Sequence, residues 1–205
     1  MTPMEKIALA CESAKVAKAI TTQEEGIGED LSYNLIAWRD TLVTAIAQLQ
    51  YNLITAEDRL MRVLEAVKAM RLGYRANGIT FVAEGYCTSD PALIDTTKPL
   101  RQQFVENRNV RECLTVTHVE LNQIKVMALP YTYEVGRKVR FDDPFLYPEG
   151  QATSQFIQTI QNIFLLEPDR QLTDDAYWRD SVAEEIQIWG FHVHHDMSDL
   201  NPDED

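Results

Sequence analysis

An α+β fold is predicted, built on a small antiparallel sheet of about four strands with an N-terminal helical hairpin and C-terminal helices packed on it. Three observations predict it. Residues 79–141 are rich in β-branched and aromatic runs separated by turn signals, apolar residues recur at helical spacing before that stretch, and they do so again after it. The expected organisation is one domain over 1–190, helical in 1–76, strand-rich in 77–141 and acidic and helical in 142–190. An acidic flexible tail over 191–205 follows.

The first predicted strand is Ile79 to Cys87, bounded by Asn77-Gly78 and by Ser89-Asp90-Pro91. Two further runs, Glu112 to Leu121 and Ile124 to Tyr133, flank Asn122-Gln123 and form an expected hairpin. A two-residue turn there sets Leu121 opposite Ile124, Glu120 opposite Lys125 and His118 opposite Met127. Val135-Gly136 then turns the chain into Arg137 to Phe141.

Ahead of the sheet, Thr2-Pro3-Met4-Glu5 carries a Thr N-cap, Pro at the first helical position and Glu three residues after the cap, so a helix is predicted to about Ile20. Leu31, Leu35, Trp38, Leu42, Ala45, Leu49 and Leu53 recur at spacings of four and three, which predicts a long second helix. A third opens at Thr55-Ala-Glu-Asp58, with Leu60, Val63, Leu64, Val67, Met70 and Tyr74 on one side. A short link makes these two an antiparallel pair. The ordinary use of the seam is internal packing. Its other use is self-association, with Leu31, Leu35, Trp38, Leu42 and Leu49 as the interface.

Beyond the first strand, a short helix is expected near Lys98 to Glu106. After the break at Asp142-Asp143-Pro144, Phe156, Ile157, Ile160, Ile163 and Phe164 mark an amphipathic helix. Thr173-Asp-Asp-Ala176 opens the last helix, which sets Trp178, Val182, Ile186 and Trp189 on its apolar side and stops at Gly190.

The net charge of −13 is segregated. Residues 1–141 hold 17 acidic and 17 basic side chains, whereas residues 142–205 hold 15 acidic ones against Arg170 and Arg179. Binding nucleic acid by phosphate contact needs a basic surface, so it is not expected. No apolar run approaches the ~20 residues needed to span a bilayer. Cys11, Cys87 and Cys113 form neither a metal-type spacing nor an even disulfide set, which points to a reducing cytoplasm.

Candidate chemistry comes from two places. Phe191-His-Val-His-His-Asp196 offers His192, His194, His195 and Asp196 as metal ligands, and on an extended chain His192 and His194 point the same way. Glu84 and His118 lie mid-strand, and neighbouring strands would let them meet and tune one another for acid–base work. The ordinary alternatives are an arginine partner for Glu84 and a satisfied core histidine at 118. Tyr131, Tyr133, Arg137, Lys138 and Arg140 form a basic and aromatic patch that suits the acidic C-terminal third. Serine-hydrolase, phosphate-loop and dinucleotide signatures are absent, leaving the cofactor open.

The order from Ile79 to Pro144 resembles a class of small uncharacterised bacterial and phage proteins. In these a strand similar to Phe81-Val-Ala-Glu-Gly-Tyr86 precedes a polar link and a hairpin like Glu112-Cys-Leu-Thr-Val116. The resemblance covers under a third of the chain and implies a prokaryotic or viral cytosolic setting, with no activity attached. Taken together, the sequence favours a non-enzymatic interaction or assembly protein that binds a protein partner or itself. A metal-dependent hydrolase using Glu84 and His118 is the alternative reading, and an acidic DNA mimic the third.

Overall fold

The computed structural model describes residues 1–27, 31, 34–49, 56–88, 95, 97–98, 102–104, 109–148, 155–168 and 176–194. In chain order the elements are α1 (Pro3–Glu24), β1 (Asn34–Arg39), β2 (Leu42–Leu49), α2 (Ala56–Gly73), β3 (Gly78–Cys87), β4 (Arg111–Glu120), β5 (Gln123–Glu134), β6 (Lys138–Phe141), β7 (Phe145–Leu146), α3 (Gln155–Ile163), α4 (Ala176–Ile188) and β8 (Phe191–His194). The class is α+β, but the sheet has eight strands rather than about four. They run antiparallel in the order β6-β5-β4-β3-β1-β2-β8, and β7 pairs with β5 off this path.

The chief correction falls on the seam from Leu31 to Leu53. Its described centre is not a helix but the β1–β2 hairpin, so the antiparallel helix pair does not form. These strands carry apolar residues on both faces. Leu35, Ala37, Ala45, Ala47 and Leu49 enter the core beneath α2, while Ile36, Trp38, Val43 and Ile46 pack together on the opposite, partly exposed side. A strand with apolar residues on both faces loses the apolar–polar alternation that identifies it, and a run of apolar residues then matches helical spacing by accident. The turn at Asp40-Thr41 lacks glycine. Asp40 takes φ 57°, which Asp tolerates better than most residues. Asn77 holds it there: its Oδ1 accepts from Asp40 N–H at 2.9 Å and its Nδ2 donates to Asp40 Oδ1 at 2.7 Å.

The helices cover both faces of the sheet, not one. Val63, Val67 and Met70 of α2, Ile157 and Ile160 of α3 and Val182 and Ile186 of α4 form one core with β1, β2, Ile79 and Phe81 of β3, and β8. On the other face, Ile7, Ala10, Cys11 and Ala14 of α1 pack on Val82, Leu114, Val116, Leu129 and Tyr131. Of the predicted short helix near 98–106, residues 102–104 are helical and most of the rest lies outside the described residues.

Two smaller corrections bear on the site. The β4–β5 turn is Leu121-Asn122, so Glu120 faces Gln123 and His118 faces Lys125 rather than Met127. A slip of two keeps every side chain on its predicted face. Phe191–His194, expected in a flexible tail, is instead the edge strand β8, with Ala47 opposite Val193.

Gly73, the last residue of α2, lies where a Cβ would overlap the Val182 methyls of α4. Gly73→Ala is expected to cost about 1–3 kcal/mol by overpacking, read as a lower urea midpoint. Adding Val182→Ala to that variant should recover part of the loss, because the clash is with those methyls.

Candidate functional site

Thr80, Glu84, His118 and Glu120 lie under α1. On this face β3 presents Thr80 and Glu84, and β4 presents His118 and Glu120. Thr80 is directly opposite His118, whereas Glu84 is opposite Leu114. Glu84 and His118 therefore share a face but lie four ladder steps apart, roughly 13 Å at the usual strand rise. The structure does not bring them together.

His118 sits at the centre of a closed polar cluster. Trp38 Nε1–H donates to Thr80 Oγ1 at 2.9 Å, Thr80 Oγ1 is 2.7 Å from His118 Nδ1, and His118 Nε2 is 2.9 Å from Glu120 Oε1. Lys6 Nζ donates to the same Glu120 oxygen at 2.7 Å and lies 5.4 Å from the Trp38 ring centroid. Trp38, Thr80 and His118 are completely buried and Lys6 almost so. Burial holds the His118 imidazolium well below its ordinary range, and nearby Lys6 adds to this, outweighing the opposing pull of Glu120. The ring is therefore neutral at pH 7. A neutral ring facing a carboxylate through Nε2 carries its proton there, so Nδ1 accepts and the Thr80 hydroxyl donates. Every hydrogen bond in the cluster then has a defined direction.

Local sequence explains the placement. The Thr2/Glu5 capping box starts α1, with Glu5 N–H on Thr2 Oγ1 at 3.3 Å and Thr2 N–H on Glu5 Oε2 at 2.6 Å. Lys6 is thereby fixed in the first turn. Gly78 leaves room for the cluster, since a Cβ there would come within 3.2 Å of both His118 Cε1 and Glu120 Cγ.

Glu84 belongs to a second cluster. It forms an ion pair with Lys18 of α1, at 2.6 Å. Lys18 Nζ also lies 5.3 and 5.6 Å from the ring centroids of Tyr131 and Tyr133. Burial pulls the Lys18 ammonium down, yet Glu84 and Tyr133 together hold it above its ordinary value, so it is charged. Burial, with the negative charge of Glu84 next, pushes the Tyr131 hydroxyl up. The aromatic half of the basic patch is thus packed beneath α1, and Arg140 lies 3.6 Å from Glu134 of its own hairpin.

The other predicted residues scatter. His192 and His194 are exposed on one side of β8 with ring centroids 4.5 Å apart, opposite Gln48 and Ile46. No group of three or more metal-ligating side chains is found among the described residues. His195 and Asp196 lie outside them. Of the seam, Leu35 and Leu49 are core beneath α2, Leu31 packs under α1, Trp38 joins the histidine cluster and Leu42 begins β2. No helix of the described residues is long and apolar enough to cross a membrane.

Sequence reasoning missed Lys6, Lys18, Thr80 and Glu120 as members of this site. Nothing in a single sequence separates an inward lysine from a surface one. Separately, a cavity of about 500 Å³ opens at the far end of β3 and β4, lined among others by Cys87, Arg111, Pro130, Asp142 and Phe145. Comparison with family models, with curated proteins and with solved structures finds no match for this chain.

Two outcomes test this geometry. The folded protein binds a proton at His118 less readily than the unfolded chain, whose histidine titrates near 6.5. Stability from this group is therefore complete above about pH 6.5 and falls as pH drops below it. In urea titrations across that window, His118→Gln should flatten the pH dependence. Separately, Lys18→Met strands a buried carboxylate and should cost about 3–5 kcal/mol, whereas Lys18→Met with Glu84→Leu should recover most of that loss.

Proposed function

We propose that this chain is a non-enzymatic interaction protein that self-associates through the outer face of α1. The observation that carries the reading is the outer face of that helix, which stays apolar although the inner face already packs Ile7, Ala10, Cys11 and Ala14 on the sheet. A surface helix normally turns its apolar stripe inward and its charges out. Here Lys6 and Lys18 are buried against the sheet, while Leu9, Val16 and Ile20 are 48%, 60% and 49% exposed.

The occupant suggested by the pattern is a second copy of α1. Leu9, Ser13, Val16 and Ile20 follow spacings of four, three and four, which read the same in both directions. An antiparallel twofold pair would set Leu9 against Ile20 and Ser13 against Val16, an isologous contact. Twenty-two residues make a helix of about 33 Å. A pair of that length falls at the small end of specific interfaces, so a roughly micromolar dimer is expected.

Acid–base catalysis by Glu84 and His118 has less support. Glu84 is held by Lys18, and His118 is saturated by Thr80 and Glu120 beneath a helix.

Sedimentation velocity over a concentration series tests the proposal. The wild-type chain should shift from monomer to dimer in the micromolar range. Val16→Glu should remain monomeric with an unchanged melting temperature, since the side chain touches no core. A wild-type chain still monomeric at about 100 μM would overturn it.

A further inference from the structure

The three cysteines are free and buried, but they are not alike. Cys11 lies under α1, its Sγ 3.5 Å from Met127 Sδ. Cys87 and Cys113 instead share one cluster on the opposite face, with Ala128 beneath them and Phe145 and Tyr147 against them. In the β3–β4 ladder Cys87 is opposite Arg111 and Cys113 is opposite Gly85. The two thiols are therefore diagonal neighbours on adjacent strands, packed in the same buried cluster. Cys87 lines the 500 Å³ cavity, as does Pro130, the residue opposite Cys113 in β5.

We propose that Cys87 and Cys113 are a redox-active dithiol, which a small hydroperoxide entering the adjacent cavity oxidises to a cross-strand disulfide. The substrate class follows from placement: Cys87 lines the cavity and Cys113 is completely buried behind it, which favours a small oxidant. The two sulfurs are already differentiated. Cys113 is held below its ordinary range, chiefly through its pairing with Cys87, with Thr115 Oγ1 3.7 Å away. Cys87 is pushed up by the same pairing and by burial. Cys11 is pushed up to about 11 by burial, which leaves it a poor nucleophile.

In the first step the Cys113 thiolate attacks one peroxide oxygen. The S–O bond forms, the O–O bond breaks, and the leaving hydroxide takes up a proton as water. Cys113 is then a sulfenic acid. Next the Cys87 sulfur attacks the sulfenic sulfur, the S–S bond forms, and the S–O bond breaks. The second hydroxide leaves with the Cys87 proton as another water. Two thiols are oxidised and one peroxide is reduced to two waters. Exchange with two low-molecular-weight thiols restores the dithiol.

The test uses the folded, reduced, full-length chain treated with a few equivalents of hydrogen peroxide. It is then alkylated in denaturant and examined by intact and peptide mass spectrometry. The expected product has lost about 2 Da, two hydrogens, contains one Cys87–Cys113 cross-link, carries alkyl label on Cys11 alone, and is restored by dithiothreitol. The Cys87→Ser variant should instead let a dimedone probe trap a sulfenic acid on Cys113. Retention of both thiols in the folded protein, or faster oxidation of Cys11 than of the pair, would overturn the proposal. So would cross-linking only between chains.

Discussion

Two buried ammonium groups on one helix govern the architecture of this protein. Lys6 and Lys18 both leave α1 on its inner side and both end on carboxylates of the sheet, Glu120 and Glu84. Removing a charge from water costs several kcal/mol per ion, and a partner at good geometry returns this only in part. The pairs are thus poor sources of stability but strong constraints on position. The lysines are twelve residues apart, about 18 Å along a helix axis. Glu84 lies six ladder steps from Gly78, the residue opposite Glu120, which is roughly 20 Å at the usual strand rise. The two lengths match, and sliding α1 by one turn would strand both charges at once.

The secondary polar contacts follow from that requirement. A carboxylate that accepts from Lys6 is also offered the Nε2 proton of His118, which fixes the imidazole tautomer, the direction of the Thr80 hydroxyl and the partner of the Trp38 indole. The small residues Ala10, Cys11 and Ala14 bring the helix close enough to the sheet for the lysine stems to lie along it. Packing on this face is therefore set by charge geometry, whereas the opposite face, under α2, α3 and α4, is an ordinary apolar core.

That contrast explains how much was legible in the sequence. Gly78, the β-branched run after it and Gly136 mark β3 and the β5–β6 turn, and the predicted strands begin and end within a residue or two of the observed ones. The capping box gave the start of α1, and Val63, Val67 and Met70 gave the inner side of α2. The β1–β2 hairpin was misread because apolar Ile36, Trp38, Val43 and Ile46 on the second face hide the period-two signal, and its turn uses Asp40 instead of glycine. In β8 the alternation of Phe191, His192, Val193 and His194 correctly places the histidines on one side. Four residues are too few to announce a strand before its partner is known. Glu84 and His118 stood out as polar residues inside strands, yet they were set against each other, whereas Glu84 pairs with Lys18 on a helix more than sixty positions away and His118 with Thr80 and Glu120 of the sheet. Tertiary distance of that kind leaves no local trace.

The outer face of α1 is the complement of this arrangement. A helix anchored by two ion pairs does not need its largest apolar side chains to hold it to the sheet. Leu9, Val16 and Ile20 are thereby released from packing within the domain and remain in water. Scattered exposed leucines and valines are common and carry no message. Three on one helical stripe leave an apolar surface in water, while the same helix buries two lysines beside Ile7, Ala10, Cys11 and Ala14. Covering the stripe with a like surface would take those side chains out of water without breaking the ion pairs, which end on carboxylates of the sheet. Changes to one face should leave the other unaltered, as expected for distant sites without shared partners.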